Sequence, residues 1–257
     1  MTARLISFLF VITFLCAFPP LTMGQDDIVA PGSQQVGTWY GVQYWYPKPE
    51  KTQEFEAALA EKTKLFNLGD PKRDLFSFRI VNGKRQGGIL RVNAATPSSM
   101  DEKPLVAPRE MDYWMRNVMP HVDAGRTFNS EGNTTWGHLE EHSYNGSGSE
   151  KRLRYSLAIN YLIRPGNTRL EWIRYRKMMV KALAETGSTA RFNSYEMING
   201  GQHWQEVLIV PFESWQDLAK AKIFPTAAEF DSVHGDGAWV GYLEWVEEGV
   251  IKRETEI

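Results

Sequence analysis

Two stretches of this chain show the same pattern of a strand, a tight turn and a second strand. They read FSFRIVNGKRQGGILRVNAAT over residues 76–96 and FNSYEMINGGQHWQEVLIVPF over residues 192–212. Asn82-Gly83 and Asn199-Gly200 supply residues that adopt the positive φ of tight hairpin turns. A chain with two such hairpins in corresponding settings is predicted to contain two copies of one folding unit.

The segments around the two hairpins also correspond. The predicted elements around the first hairpin are strand 38–46 and helix 50–66 before it, and short helix 110–119 and strand 136–142 after it. Those around the second hairpin are strand 154–163 and a helix from 168 before it, and helices 214–222 and 225–233 and strand 239–246 after it. If the second loop is one residue longer than the first, Ile89-Leu90 matches Val207-Leu208. Each series has the order βαββαβ, which is the ferredoxin-like split βαβ arrangement.

The hairpin strands indicate how two such units would pack. Residues 206–212 (EVLIVPF) read as a strand that is apolar on both faces, whereas helices cover only one face of a single ferredoxin-like sheet. A second sheet can cover the other face. The predicted fold class is therefore α+β, with two ferredoxin-like βαββαβ repeats whose sheets pack into one α+β barrel.

The N-terminal segment has the features of an export signal. Arg4 precedes the unbroken apolar run 5–18, which is too short to span a bilayer comfortably, and small residues predict cleavage near Gly24. An uncleaved anchor is the alternative. The cleaved protein would be secreted or periplasmic, with no membrane span. The predicted divisions are a signal peptide at 1–24, a flexible leader at 25–37, a first repeat at 38–144, a linker at 145–150 and a second repeat at 151–257.

Composition limits the partners and the chemistry. The formal net charge of −2 gives no case for nucleic acid or an anionic membrane surface as a partner. Cys16 is the only cysteine and would leave with the signal, which excludes disulfides and thiol chemistry in the mature chain. Nine tryptophans and ten tyrosines suit a packed core or a pocket for flat, apolar ligands. Asn133 and Asn145 fit glycosylation acceptors, but only in a secretory pathway that glycosylates.

From residue 38 onward, the element order and the paired Asn-Gly hairpins resemble the dimeric α+β barrel superfamily in its fused, single-chain form. The resemblance is to NIPSNAP-like or monooxygenase-like members, and the superfamily also includes haem-degrading enzymes, chlorite dismutases and dye-decolourising peroxidases. The GxxDG signature of those peroxidases is absent, and the closest text is HGDG at residues 234–237. No catalytic residue carries over from this resemblance.

One motif matches a metal-binding pattern. Residues His138 to His142 (HLEEH) fit the zinc-protease pattern H-x-x-E-H, whose two histidines converge only if the segment is helical. The flanking residues are turn-rich, so a strand end is predicted here, and we expect no metal site. On a strand the two histidines would stand about 13 Å apart. A zinc hydrolase is a third alternative, which fails if the segment is not helical.

Five residues are the candidates for ligand binding. Tyr40 and Tyr44 share one face of the first strand, where tyrosines either line a cavity or fill the core. Asn160 is a polar residue on a strand of the predicted barrel, where such a group needs a partner. His203 and Trp204 are adjacent in the second hairpin loop and could contact an aromatic ligand or an axial position of haem. The alternative for this pair is an exposed histidine beside a packing tryptophan.

Two function classes follow from these observations. The first is an exported α+β barrel that is non-catalytic or binds a small apolar or aromatic ligand. The second is a monooxygenase-like oxidoreductase, cofactor-independent or haem-associated, that acts on a flat apolar substrate. We favour the first, because no acid–base pair and no nucleophile is placed for a reaction. No cofactor is predicted, haem is the alternative, and neither catalytic residues nor an oligomeric state are assigned.

Overall fold

A computed structural model describes residues 36–68, 75–95, 107–128, 133–149, 151, 153–164, 168–199 and 205–257, which form an antiparallel sheet and the helices packed on it. The strands are β1 (Val36–Trp45), β2 (Leu75–Arg79), β3 (Ile89–Ala95), β4 (Thr134–Leu139), β5 (Tyr144–Asn145), β6 (Tyr155–Ile163), β7 (Arg191–Asn199), β8 (Gln205–Phe212) and β9 (Val250–Glu256). The main path of the sheet has the order β2-β3-β1-β4-β7-β8-β6-β9, and the short β5 pairs with β7.

Seven α-helices of the described residues lie between these strands in the chain. They are α1 (Thr52–Phe66), α2 (Pro108–Tyr113), α3 (Ala124–Phe128), α4 (Thr168–Glu185), α5 (Trp215–Lys220), α6 (Ala227–His234) and α7 (Ala238–Gly249). α2 continues as a π-helical turn over Trp114–Val118 and a 3-10 turn over Met119–His121. Ser214 caps α5, and Thr226 forms a capping box at α6, as expected for these residue types at a helix start. None of the described helices is long and apolar enough to cross a membrane.

The strand order is the same in the two halves of the chain. β2-β3-β1-β4 corresponds position by position to β7-β8-β6-β9, and β4 pairs with β7 to join the halves into one sheet. The two hairpins also share a register, since Arg79 pairs with Ile89 and Glu196 pairs with Glu206. The prediction that the second loop is one residue longer than the first is therefore wrong. Ile89 corresponds to Glu206 and not to Val207. Because successive residues of a strand point to opposite faces, the predicted match had assigned the residues of β8 to the wrong face of the sheet.

Contacts between the two ends of the strand order show that the sheet curls into a half-barrel. The backbone N–H groups of Val81 and Asn82, just after β2, donate to the Ile257 carbonyl at 2.6 and 3.2 Å. Arg85 Nε donates to Glu256 Oε1 at 2.9 Å in a nearly buried ion pair. β2 and β9 are at opposite ends of the strand order, so these contacts require strong curvature.

Apolar clusters lie on both faces of the sheet. The inner face carries a cluster whose buried members are Val42, Trp136, Met197 and Val207. Helices cover the outer face. Phe55 and Leu59 of α1 pack with Ile89 of β3, and Trp172 of α4 packs with Leu208 of β8.

The prediction of a strand at 239–246 is wrong. These residues lie in α7, and the last strand is β9. Trp239, Tyr242 and Val246 recur at helical spacing and pack in one cluster with Phe230 of α6. α7 begins after Gly237, whose φ of 81° is readily adopted only by glycine. A short apolar run fits a buried strand and a buried helix alike, and here the neighbouring helices favour the helix.

The predicted signal peptide at 1–24 and most of the predicted leader lie outside the described residues. In the predicted linker at 145–150, Asn145 belongs to β5 and pairs with Arg191 of β7. The Tyr144 hydroxyl lies 3.1 and 2.9 Å from the carbonyl oxygens of Leu183 and Ser188. The start of this segment is thus attached to the second half of the chain.

Candidate ligand-binding site

A groove of about 500 Å³ lies between α1 and the β2–β3 hairpin. Its walls are mostly apolar, and the lining residues are Glu56, Leu59, Ala60, Thr63, Lys64, Leu68, Leu75, Ser77, Phe78, Arg79 and Ile89. Leu59 and Ile89 are buried, whereas Leu68 is 75% exposed. Apolar residues that stay open to solvent in a concave region are typical of a binding site.

The groove exists because the helix and the hairpin meet through small side chains at this level. Phe55 and Leu59 turn the apolar stripe of α1 towards the sheet. Ala60 and Thr63 lie beside that stripe, and Ser77 lies on the facing strand. None of these three side chains is large enough to fill the space between α1 and β2.

Larger side chains occupy the corresponding region of the second half. Phe55 of α1 matches Trp172 of α4 in the sequence, so Leu59 corresponds to Arg176. The shared hairpin register makes Ile89 correspond to Glu206. Leu59 and Ile89 of the first half are therefore replaced by the ion pair of Arg176 and Glu206.

Glu206 is the centre of this fully buried polar cluster. Trp172 Nε1 donates to its Oε2 at 2.5 Å, Ser194 Oγ donates to its Oε1 at 2.6 Å, and His142 Nδ1 lies 3.3 Å from Oε2. Arg176 Nε lies 3.3 Å from Oε1. Burial alone would raise the pKa of Glu206, but the charges of His142 and Arg176 and the hydrogen bonds lower it to about 2. Because the cluster is closed to solvent, it holds α4 on the sheet and offers no entry to a ligand.

A second buried polar cluster lies behind the groove. Lys62 forms an ion pair with Glu110 and donates to Asn67 Oδ1 at 2.8 Å. Arg91, which is 3% exposed, donates from Nη2 to Thr63 Oγ1 at 3.2 Å, and Thr63 lines the groove. Burial lowers the pKa of Arg91 to about 10 against the opposing charge of Glu110, so Arg91 remains charged at neutral pH. A positive charge thus lies one residue behind the groove wall.

The residues predicted for ligand binding do not line this groove where they are described. Tyr40, Tyr44 and Asn160 lie on the inner face of the sheet. The rings of Tyr40 and Tyr195 make an edge contact with 5.5 Å between centroids. The Nδ2 atom of Asn160 is buried without a hydrogen-bond partner. His203 and Trp204 lie outside the described residues.

Asn160 belongs to a row of inner-face residues that crosses four strands. Asn160 pairs with Val207, Val207 with Tyr195, and Tyr195 with His138. Burial lowers the pKa of His138 despite the nearby Glu140, and burial together with Tyr40 raises the pKa of Tyr195. Both groups are therefore neutral at pH 7, and the row is a polar strip within the packed inner face.

His138 and His142 do not form a zinc site. The segment is the end of β4 followed by a 3-10 turn, with no α-helix. His138 contacts Ser143 and Tyr195, whereas His142 is fully buried against Glu206. The two side chains do not converge, so the zinc-hydrolase hypothesis is wrong. Among the residues that the structure describes, no group of three His, Cys, Asp or Glu side chains could hold a metal ion.

Haem would need an axial donor such as histidine. His138 and His142 have the contacts given above, His234 Nε2 lies 2.9 Å from the Met178 carbonyl oxygen, and His121 lies in the 3-10 turn after α2. None of these four lines the groove. The described residues therefore do not fit a haem bound in the groove, and His203, the axial candidate from the sequence, is not among them.

Sequence reasoning missed both the groove and the Glu206 cluster. Arg176 lies on the apolar stripe of α4, between Trp172 and Met179, and Glu206 is the acid in an otherwise apolar strand. A charged residue on each of two buried faces signals an ion pair, because a lone buried charge is very costly. The groove depends on missing side-chain volume at Ala60 and Thr63, for which no comparable sequence signal exists.

Solved structures with a similar fold have low sequence identity to this chain. A protein described as anthrone oxidase-like is 12% identical, with a TM-score of 0.48 over 88% of this chain and 92% of its own. A putative monooxygenase from Lactobacillus acidophilus NCFM is 9% identical, with a TM-score of 0.45 over 85% of this chain and 91% of its own. A chlorite dismutase from Candidatus Nitrospira defluvii in complex with imidazole is 10% identical, with a TM-score of 0.47 over 87% of this chain and 92% of its own.

No family model matches the sequence, and no curated protein matches it significantly. With identities near 10% and TM-scores below 0.5, the solved structures support no argument about activity. The solved structures that are similar to this chain in fold thus include proteins described as monooxygenases, as anthrone oxidase-like and as chlorite dismutases.

Proposed function

We propose that the protein binds a small, flat or largely apolar molecule in the groove between α1 and the β2–β3 hairpin. The observation that carries this proposal is the groove itself, with its mostly apolar walls and a volume of about 500 Å³. Ligand pockets typically measure about 300–1,000 Å³ and combine apolar walls with a few polar groups. Here the polar groups include Thr63, Lys64 and the ion pair of Glu56 with Arg79.

Burial of the exposed apolar walls would drive this binding. Leu68 and Phe78 are 75% and 39% exposed, and Leu75 also lines the groove. Each Å² of apolar surface removed from water contributes about 25 cal/mol. A flat apolar ligand that covers these three side chains therefore gains affinity without any conformational change of the sheet.

Filling the groove with a larger side chain tests this function. We expect Ala60→Trp to weaken binding of the neutral fluorescent probe N-phenyl-1-naphthylamine by about tenfold or more, because the indole takes the space of the ligand. The matched control is Ala57→Trp, which places the same side chain on an exposed part of α1 that does not line the groove. Fluorescence titration measures both affinities. Equal binding by wild type and both variants would exclude the groove as the site.

A monooxygenase-like activity is the second candidate, and Glu56 favours it. Glu56 lines the groove, and its Oε2 is paired with Arg79. Its Oε1 is buried without a hydrogen-bond partner. A carboxylate oxygen so placed can accept a proton from a bound carbon acid, which is the first step of a cofactor-independent oxidation. Haem-associated chemistry is not proposed, because the described histidines do not line the groove.

Oxygen uptake with anthrone, a flat apolar carbon acid, tests the catalytic role. If the groove is catalytic, Glu56→Gln should lower the rate by about 100-fold or more, because glutamine keeps the shape of glutamate but cannot accept the proton. Glu61→Gln, on the same helix but outside the groove, is the control and should keep the wild-type rate. No oxygen uptake by the wild-type protein would remove this activity and leave ligand binding.

We also propose that the two halves are repeats of one ferredoxin-like unit and that the protein is exported. The common strand order and hairpin register support the repeats. The apolar run at 5–18 supports export. We expect the protein recovered from the export compartment to begin near Gln25, as measured by intact mass. A full-length mass in that compartment would contradict cleavage.

A further inference from the structure

We propose that the ligand of the groove is an anion with an apolar body, such as an aromatic or aliphatic carboxylate. This inference rests on the proposed function and specifies the chemical class of the ligand. It starts from Arg91, which is 3% exposed and donates a hydrogen bond to Thr63 in the groove wall.

Arg91 is a buried cation without a carboxylate of its own. Its Nε has no hydrogen-bond partner, and none of the ion pairs between described residues involves it. Glu110, the acid near it, forms an ion pair with Lys62. A buried guanidinium is costly unless an opposite charge lies nearby. Glu110 supplies one negative charge for the two buried cations Lys62 and Arg91, and a ligand anion on the other side of Thr63 would supply a second.

The groove wall, like Arg91 behind it, carries positive charge. Lys64 and Arg79 line it together with one acid, Glu56, which pairs with Arg79. With Lys62 and Arg91 behind the wall, the described residues around the groove have four cations and two carboxylates. A concave site with an excess of one sign of charge and low-dielectric walls concentrates ligands of the opposite sign.

The apolar walls determine the rest of the ligand. Leu59, Leu75 and Ile89 offer no hydrogen-bonding group from their side chains, so most of the ligand must be hydrocarbon. A fully polar anion such as inorganic phosphate would leave the exposed Leu68 and Phe78 uncovered and gain nothing from them. The combination therefore favours an amphiphilic carboxylate over both a neutral hydrocarbon and a small inorganic anion.

Calorimetry with three ligands of the same body tests the charge preference. The probes are 2-naphthoate, 2-naphthalenemethanol and 2-naphthylmethylammonium, which share a flat ring system and differ in head group. We expect naphthoate to bind wild type about tenfold tighter than the alcohol, and the ammonium to bind weakest. The preference for naphthoate should shrink as the salt concentration rises.

Two variants locate the charge. Arg91→Met should remove most of the preference for naphthoate over the alcohol, while binding of the alcohol stays near the wild-type level. If Arg91→Met does not fold, the exposed Lys64→Met serves instead and should reduce the preference several-fold. Arg116→Met, on an exposed turn outside the groove, is the control and should change nothing.

The outcomes separate this inference from the proposed function. Equal affinity for naphthoate and the alcohol, with both lost in Ala60→Trp, overturns the charge preference and leaves the groove as a binding site. Binding of all three probes that Ala60→Trp does not affect, or no binding of any probe, overturns both. A naphthoate preference that Arg91→Met and Lys64→Met leave unchanged also overturns the inference.

Discussion

Replacing Glu206 with glutamine is expected to destabilise the protein by about 3–5 kcal/mol. The neutral amide leaves Arg176 without its opposite charge at a position that is 2% exposed. It also points an N–H₂ group towards donors that now share the carboxylate, Trp172 Nε1 and Ser194 Oγ. For a domain of this size the loss corresponds to a fall in Tm of about 10 °C, which thermal unfolding measures directly.

A double-mutant cycle identifies the ion pair as the source of this effect. Once Glu206 is glutamine, replacing Arg176 with methionine removes an orphaned cation, so the second substitution should cost less than it does in wild type. We expect a coupling of about 2 kcal/mol between the two sites. Strictly additive costs would contradict this account.

The control for Glu206→Gln is Glu213→Gln, just after β8. Glu213 lies 4.0 Å from Lys151, and both side chains are more than half exposed. The same change from acid to amide should therefore alter the stability by about 0.5 kcal/mol or less. A large effect at Glu213 would indicate that the loss at Glu206 reflects a general sensitivity of this strand.

Glu110→Gln is expected to have the second-largest effect, about 3 kcal/mol of destabilisation. Glu110 forms the ion pair with Lys62, and both side chains are nearly buried. Without the carboxylate, Lys62 and the neighbouring Arg91 become two buried cations with no acid between them. The midpoint of urea unfolding measures the loss.

The matched control for Glu110→Gln lies on the same helix. Asp112 pairs with Arg116 at 2.8 Å, and their side chains are 56% and 75% exposed. Because solvent screens such a pair, Asp112→Asn should cost about 0–1 kcal/mol. If both substitutions had the same small effect, the burial of the Lys62–Glu110 pair would not matter for stability.

Much of the fold could be predicted from local patterns in the amino-acid sequence. The alternation of β1 and the apolar stripe of α1 each depend on residues close together in the chain, whereas the tight turn predicted at Asn82-Gly83 is a longer connection, residues 80–88, between β2 and β3. Short-range steric and hydrogen-bonding preferences determine such elements, so the strands β1, β4, β6 and the helices α1, α4, α5 and α6 lie where they were predicted. The order βαββ at the start of each half followed from these elements, whereas the last strand of the chain, β9, did not.

Tertiary contacts decided what the local patterns left open. Residues 239–246 became part of α7 and not a strand, because Trp239 and Tyr242 pack with Phe230 of α6. The hairpin register placed Glu206 and not Val207 on the helix-covered face, although both lie in one apolar stretch. A shift of one residue changes which face of the sheet is charged, and only pairing with the neighbouring strands determines it.

The candidate site was determined at the same level. The sequence predicted aromatic residues for a ligand, and the described ones, Tyr40 and Tyr44, lie on the inner face of the sheet. The groove arises where Ala60 and Thr63 of α1 face Ser77 of β2, and charged residues from both elements line it, with Arg91 behind Thr63. A sequence specifies which side chains are present, but empty space and the sum of nearby charges depend on residues that only the folded chain brings together.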